Sequence, residues 1–300
     1  MVEVIGIGAL NIDKLYLVER IGEPGEEIWI SSASEQPGGS AANTIVGLAR
    51  LGIETGFIGR VGDDADGAYL RSEMKKEGVD VARIEIAEGR TGTAIVLIDR
   101  NGERSMYVYP GVNDTLRLTS ENLLYAKDAK YLHLSSFAGE TPFEMQKEIL
   151  NHSKTRISFA PGMLYARKGL DLLMDIISKT GIIFLNRYEM EILTGYYYRE
   201  GAERLNRIGA EIVVVTLGEH GCYIRTSAME ISVPAMPAYT ARVIDTTGAG
   251  DAFCAGFLYG MLKNRSLDYC GRLGNWVAMK CIGSVGAREG LPGAIEIERD

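Results

Sequence analysis

The chain has 300 residues, of which 46% are hydrophobic and 24% charged. That is an ordinary globular composition with enough core to fold without disulfides or a metal. A formal net charge of -8 speaks against a general nucleic-acid binder, which displays a basic face, but not against a nucleotide held by local N–H groups.

The four cysteines, Cys222, Cys254, Cys270 and Cys281, form no C-x-x-C pair. With three histidines in all there is no zinc-site pattern, and the cysteines read as buried free thiols. No signal peptide or membrane-spanning run is recognised, so a cytoplasmic protein without membrane or nucleic-acid partners is expected.

Taken in chain order, Val2 to Gly8 is an apolar run broken by glycines and is predicted to be a buried strand. Loose alternation follows from Lys14 to Gln36. Helical spacing appears over Ala41–Leu51 and Ala65–Glu77, on either side of a second strand at Gly56–Val61. Thr91 to Val112 reads as a hairpin turning at Arg100-Asn101-Gly102-Glu103, where Asn-Gly is a strong turn signal. Further strands are expected at Tyr131–Leu134, Ile182–Leu185 and Ile212–Leu217, and helices at Leu170–Lys179 and Tyr188–Leu193. Short strands that are apolar on both faces, alternating with helices, predict an α/β fold with a doubly wound, mostly parallel sheet. The segments 14–36 and 91–112 break that rhythm and are expected to form a small inserted β lid on a domain spanning 1–300.

The segment Asp245-Thr246-Thr247-Gly248-Ala249-Gly250-Asp251 leads into the apolar run Ala252 to Leu258. It reads as a glycine loop opening a helix, with backbone N–H groups aimed outward and Asp251 in the first turn, where the dipole favours a carboxylate. Such a turn receives phosphoryl charge, and a carboxylate beside it can take a proton from an alcohol. A helix-capping Asp is the plain alternative.

This string, together with Gly38-Gly39-Ser40-Ala41-Ala42-Asn43 and Gly52, Gly59 and Gly62-Asp63-Asp64 after it, resembles the two signatures of the ribokinase-like (PfkB) carbohydrate kinases. The resemblance covers nearly the whole chain. It implies a doubly wound α/β domain with a β lid and transfer of the γ-phosphate of ATP to a hydroxyl of a sugar or nucleoside. It makes Asp251 the general base and the N–H groups of Gly248, Ala249 and Gly250 the anion hole. Asn186 and Glu189 match the N-x-x-E that helps place Mg²⁺ and phosphates. Thr216, Gly218 and Gly221 match the loop beside the nucleotide, and Asn275 lies in the helix bordering the adenine. Asn11, Asp13, Gly39 and Asn43 match the sugar pocket, and Asp245 and Thr247 a K⁺-ordered loop. Each has a plainer reading: a helix start for Asn186 and Glu189, a tight turn for Thr216 to Gly221, a surface residue for Asn275, a turn residue for Asp13.

The chain also departs from its relatives. Ser40 stands where ribokinase has Lys, and Ser135 or Ser136 where it has Glu, which counts against ribose. The Asp of sugar-acid kinases is missing near Ser158–Gly162. Arg90, Arg104 and Arg167 are candidates for holding a phosphosugar, with solvated surface arginines as the alternative. Tyr107 and Tyr109 share one face of the lid strand and either stack on a nucleobase or fill the lid. A homodimer through the exposed lid edge is a further expectation. The rival functions are a non-catalytic sugar or nucleotide sensor on the same fold and a Rossmann dehydrogenase. The dehydrogenase fails at the third glycine of Gly6-Ile7-Gly8-Ala9-Leu10-Asn11. There is no G-x-x-x-x-G-K-[ST], which speaks against a P-loop kinase.

Overall fold

In the computed structural model, which describes residues 2–100, 104–236 and 243–297, the apolar runs pair into one large sheet. The strands in chain order are β1 Val4–Ile7, β2 Asn11–Val18, β3 Ile30–Gly38, β4 Thr55–Gly62, β5 Asp80–Ala87, β6 Gly92–Ile98 and β7 Arg104–Tyr109. They continue with β8 Tyr131–Ser135, β9 Arg156–Ala160, β10 Ile182–Asn186, β11 Ile212–Thr216, β12 Cys222–Arg225 and β13 Glu230–Val233. The helices are α1 Ser40–Arg50, α2 Ala65–Lys76, α3 Ser120–Ala126, α4 Glu140–His152, α5 Gly162–Ala166 and α6 Leu170–Ser178. After them come α7 Arg187–Thr194, α8 Tyr198–Ile208, α9 Ala249–Leu262, α10 Leu267–Cys281 and α11 Ala294–Ile297.

The large sheet runs β13-β12-β11-β10-β9-β8-β1-β4-β5. Its pairs are parallel from β5 to β11 and antiparallel at β11-β12 and β12-β13. Because successive residues of a strand face opposite ways, Val4, Phe57 and Val214 enter one core with α1, α2, α9 and α10. Ile5, Ile58 and Val213 enter a second core with α4, α6, α7 and α8. Helices on both faces are what a parallel sheet requires. Helix α9 carries no polar face over Ala252–Leu258, and every residue of that stretch is buried, as expected of a helix enclosed on all sides.

A second sheet of four strands, ordered β3-β2-β6-β7, stands apart. β2 begins four residues after β1 ends, and β3 ends two residues before α1 begins. The small sheet is therefore inserted at the C-terminal ends of the parallel strands, where ligands of such sheets bind. β6 and β7 pair antiparallel from Thr93↔Tyr109 to Ile98↔Arg104; the expected turn residues 101–103 lie outside the described residues. β2 and β6, however, run parallel, so the inserted sheet is not a pure antiparallel meander.

The register decides which face of this sheet looks inward. Asp13 sits opposite Ala94, and Ile95 opposite Tyr107. Asn11, Asp13, Ala94, Met106 and Val108 line the cavity between the sheets. Tyr107 and Tyr109 therefore point away from it; the expectation that they stack on a nucleobase is corrected, and they belong to the outer face of the small sheet. Among the described residues no helix is long and apolar enough to cross a membrane.

Candidate active site

The turn before α9 sets the geometry. Gly248, its N-cap, has φ +76°, and a Cβ there would lie 2.5 Å from Ala287 Cβ. The position demands glycine twice over, by backbone hand and by close approach. Asp245 clamps the turn from the front: its Oδ1 accepts from Thr247 N (2.9 Å) and Thr247 Oγ1 (2.7 Å), and its Oδ2 from Gly286 N (2.8 Å). The Ala249 N–H donates to Thr246 O at 3.3 Å. As first-turn residues, Gly250 and Asp251 have N–H groups with no intrahelical acceptor, and a Cβ on Gly250 would meet open space.

Three cavities meet at this turn. The first, about 320 Å³, lies under the small sheet and is lined by Asn11, Asp13, Gly39, Asn43, Gly248 and Asp251. The second, about 640 Å³, lies on the other side, between Thr216, Gly218, Gly221, Asn275, Ala249 and Gly250. The third, about 100 Å³, is reached by Asn186, Glu189, Thr216, Gly250 and Asp251. Thus nearly all residues singled out in the sequence converge on one place, separated by the Gly248–Asp251 turn into a side under the small sheet and a loop-and-helix side.

Asp251 is held by two donors on α1, Ser40 Oγ to Oδ1 (2.7 Å) and Asn43 Nδ2 to Oδ2 (2.9 Å). Burial nevertheless pushes its carboxyl up to about 6, against the lowering effect of these bonds and of the Arg288 charge. Asp13 is pushed up to about 7, first by burial and further by the Asp251 carboxylate, with Arg288 opposing. Gly39 brings the start of α1 against the connection that follows β1: its φ is +108°, and a Cβ would overlap the Ala9 carbonyl oxygen.

Several singled-out side chains already have partners. Asn186 and Glu189 form a reciprocal capping box, each side chain accepting from the other's backbone N–H at 2.9 Å. The helix-start reading therefore holds for them, while Glu189 still reaches the third cavity, its carboxyl raised by burial. Asn275 is buried, not a surface residue, and its amide donates to Pro234 O (2.9 Å). Asp64 caps α2 and accepts from Thr91 N and Oγ1 at the base of β6, so this signature residue ties the small sheet to the body. Arg90 and Arg167 are exposed and line none of these cavities; the side chain of Arg104 lies outside the described residues.

Two residues escaped the sequence reading. Asn113 is buried and ties the turn after β7 to the start of β2, accepting from Leu10 N (3.0 Å) and donating to Asn11 Oδ1 (3.0 Å) and Pro110 O (2.9 Å). The run Pro110-Gly111-Val112-Asn113 reads as an ordinary turn. Arg288 is buried and donates through Nε to Asn43 Oδ1 (2.9 Å); a lone arginine far from either signature gives no signal.

A family model for the "pfkB family carbohydrate kinase" matches residues 1–294. A protein of Archaeoglobus fulgidus named "uncharacterized sugar kinase" is 45% identical over 254 residues, 84% of this chain and 100% of that protein. The nucleoside kinase of Methanocaldococcus jannaschii is 28% identical over 97% of this chain and 94% of its own length. Among solved structures, ribokinase of Arabidopsis thaliana complexed with ribose and ATP superimposes with a TM-score of 0.88 at 24% identity. That match covers 100% of this chain and 98% of the other and shows the shared fold. The chain belongs to the pfkB family of carbohydrate kinases and is a phosphotransferase with an alcohol group as acceptor.

Proposed function

We propose that the protein transfers the γ-phosphate of MgATP to a hydroxyl of a sugar or nucleoside, with Asp251 as general base. The observation that carries this reading is the position of Asp251 at the floor of the acceptor cavity, in the first turn of a helix whose opposite flank lines the larger cavity. An alcohol bound against Asn11, Asp13 and Asn43 presents its oxygen to the carboxylate, which takes the proton as the oxygen attacks the γ-phosphorus and the bond to the β,γ-bridging oxygen breaks, releasing ADP. The N–H groups of the Gly248–Asp251 turn face the transferring phosphoryl group; Gly250 N–H is the best disposed, because Ala249 N–H already leans on Thr246. The nucleotide occupies the cavity of Thr216, Gly218, Gly221 and Asn275, with Met279 and Phe253 as apolar walls.

Among acceptors a nucleoside is favoured. The lining combines the polar Asn11, Asp13 and Asn43 with Met106, Val108 and Leu164, which are exposed apolar groups. Sugar hydroxyls satisfy the polar groups and a flat heterocycle the apolar ones.

Mg²⁺ fits at Glu189 as an ion that keeps its waters. Its carboxylate lines the small cavity while one oxygen accepts from Asn186 N–H, and among the described residues no cluster of three or more acidic, His or Cys side chains forms a cage. When bound, the ion neutralises phosphate charge. The K⁺ reading rests on Asp245 and Thr247 closing the loop; unchanged turnover in K⁺-free buffer removes it.

The test is ADP formation from MgATP with nucleosides, free sugars, sugar acids and sugar phosphates, beside Asp251→Asn. Turnover with one class that the variant abolishes while still binding acceptor supports the proposal. Binding of ATP and acceptor without turnover in the wild type would make the protein a sensor instead.

A further inference from the structure

We propose that Arg288 is a positioning residue for the transfer: its Nε–H fixes the orientation of the Asn43 amide, and Asn43 in turn aims the Asp251 carboxylate at the acceptor cavity. The inference rests on Asp251 being the base.

The chain of contacts is continuous. Arg288 Nε donates to Asn43 Oδ1 at 2.9 Å, and Asn43 Nδ2 donates to Asp251 Oδ2 at 2.9 Å. A guanidinium only donates and a carboxylate only accepts, so the two neighbours allow the amide one orientation. Remove the guanidinium and nothing on that side prevents Asn43 from turning its oxygen toward Asp251. Arg288 is itself held. Its carbonyl accepts from Arg50 Nη1 at 2.6 Å, and Arg50 is paired with Glu77 at the end of α2. Burying an arginine is costly unless it is fully bonded, yet Nη2 has no partner and Nη1 reaches only Met74 Sδ at 3.9 Å. A cation kept in this place without full hydrogen bonding contributes through its orientation of Asn43 and through its field.

That field acts on a crowded set of groups. Those interacting electrostatically with Asp251 are Asp13 on β2, Glu189 on α7, Cys254 on α9, Cys281 on α10 and Arg288. Both thiols are pushed up by burial and stay neutral, and the Asp251 charge helps to raise the two other carboxyls. Arg288 is the cation of this set among the described residues, so its positive charge favours the ionised base.

The experiment measures kcat against pH for wild type, Arg288→Met, Arg288→Lys, Asn43→Ala and the Asn43→Ala/Arg288→Met double variant, with melting temperature and ATP binding recorded for each. Arg288→Met is expected to lower kcat about 10- to 100-fold and to move the acid limb up by about one pH unit. Arg288→Lys keeps the charge and the wild-type limb while losing part of kcat, because the ammonium lacks the planar Nε–H. On the high-pH plateau, where Asp251 is ionised in every variant, Arg288→Met is expected to add less than about threefold in the Asn43→Ala background, since the two act there in series. A folded Arg288→Met enzyme with unchanged kcat and acid limb, or fully additive losses in the cycle, overturns the proposal. If Arg288→Met does not fold, a displaced acid limb in Arg288→Lys or its full activity does the same. Should Asp251→Asn retain turnover, it is the base assignment beneath this inference that fails, and the two failures are told apart.

Discussion

At the residue scale the site is a pair of carboxylates held at different pressures. Asp251 titrates near 6 and Asp13 near 7 in the free protein, both raised by burial. A base must be ionised to accept a proton, so kcat/KM is expected to rise with pH through the range of about 6 to 7 and level above it, measured with saturating MgATP. Asp251→Asn is expected to reduce kcat about 100- to 10,000-fold with acceptor affinity within a few-fold, because the amide still bonds Ser40. The same burial has a stability sign. A carboxyl whose folded pKa lies above its unfolded value binds more protons when folded, so stability falls as pH rises from about 4 to about 7. Asp13→Asn removes that charging cost. Its melting temperature at pH 8 is expected to exceed that of the wild type while acceptor KM rises, and an equal or lower melting point at pH 8 contradicts the assignment. Asn11, Asp13, Asn43 and Asp251 were singled out because they match the family's motifs, and the structure adds that they line one cavity. Arg288 and Asn113 were not singled out, since their meaning lies only in the side chain each reaches across the fold.

At the element scale the turn before α9 and the strands of the small sheet carry the argument. Gly248→Ala forces a left-handed backbone on a residue with a Cβ and drives that Cβ into Ala287. Destabilisation of at least about 1–2 kcal/mol is expected from the backbone alone, read as a lowered denaturation midpoint together with loss of turnover. The glycine loop and the helix start were visible in the sequence, since composition changes sharply at Ala252. The inward face of β7 was not. Period two says that Tyr107 and Tyr109 agree with each other but not which side they take; that is decided by pairing with β6, whose Ala94 shares the cavity with Asp13. Met106→Ala is accordingly expected to raise acceptor KM several-fold with little change in kcat, and Tyr107→Ala to leave both near wild type at equal protein concentration. The opposite ranking would return the tyrosines to the site.

At the scale of the whole molecule, five strands of the nine-stranded sheet were anticipated and β5, β9, β12 and β13 were not. β5 and β13 are half-exposed edge strands without a continuous apolar run. β9 is interrupted by Ser158, and β12 is four residues long. Edge strands lack two buried faces, so their sequences lack the signal that marks a central strand. The same physics bears on association. The small sheet is covered by the body on one face only; its outer face carries Ile95, Tyr107 and Tyr109, whose exposures are 41%, 59% and 57%, side by side across β6 and β7. β3 and β7 are its open edges, and open edges and apolar faces invite a second strand set. We propose that two copies pair through this sheet. The expected outcome in light scattering is a mass of twice 32.8 kDa, reduced to that of one chain by Ile95→Lys combined with Tyr107→Lys. These residues do not line the acceptor cavity, so any fall in acceptor affinity that accompanies dissociation measures how far the partner's sheet braces the lid over its own site. A monomeric mass for the unaltered protein ends the proposal.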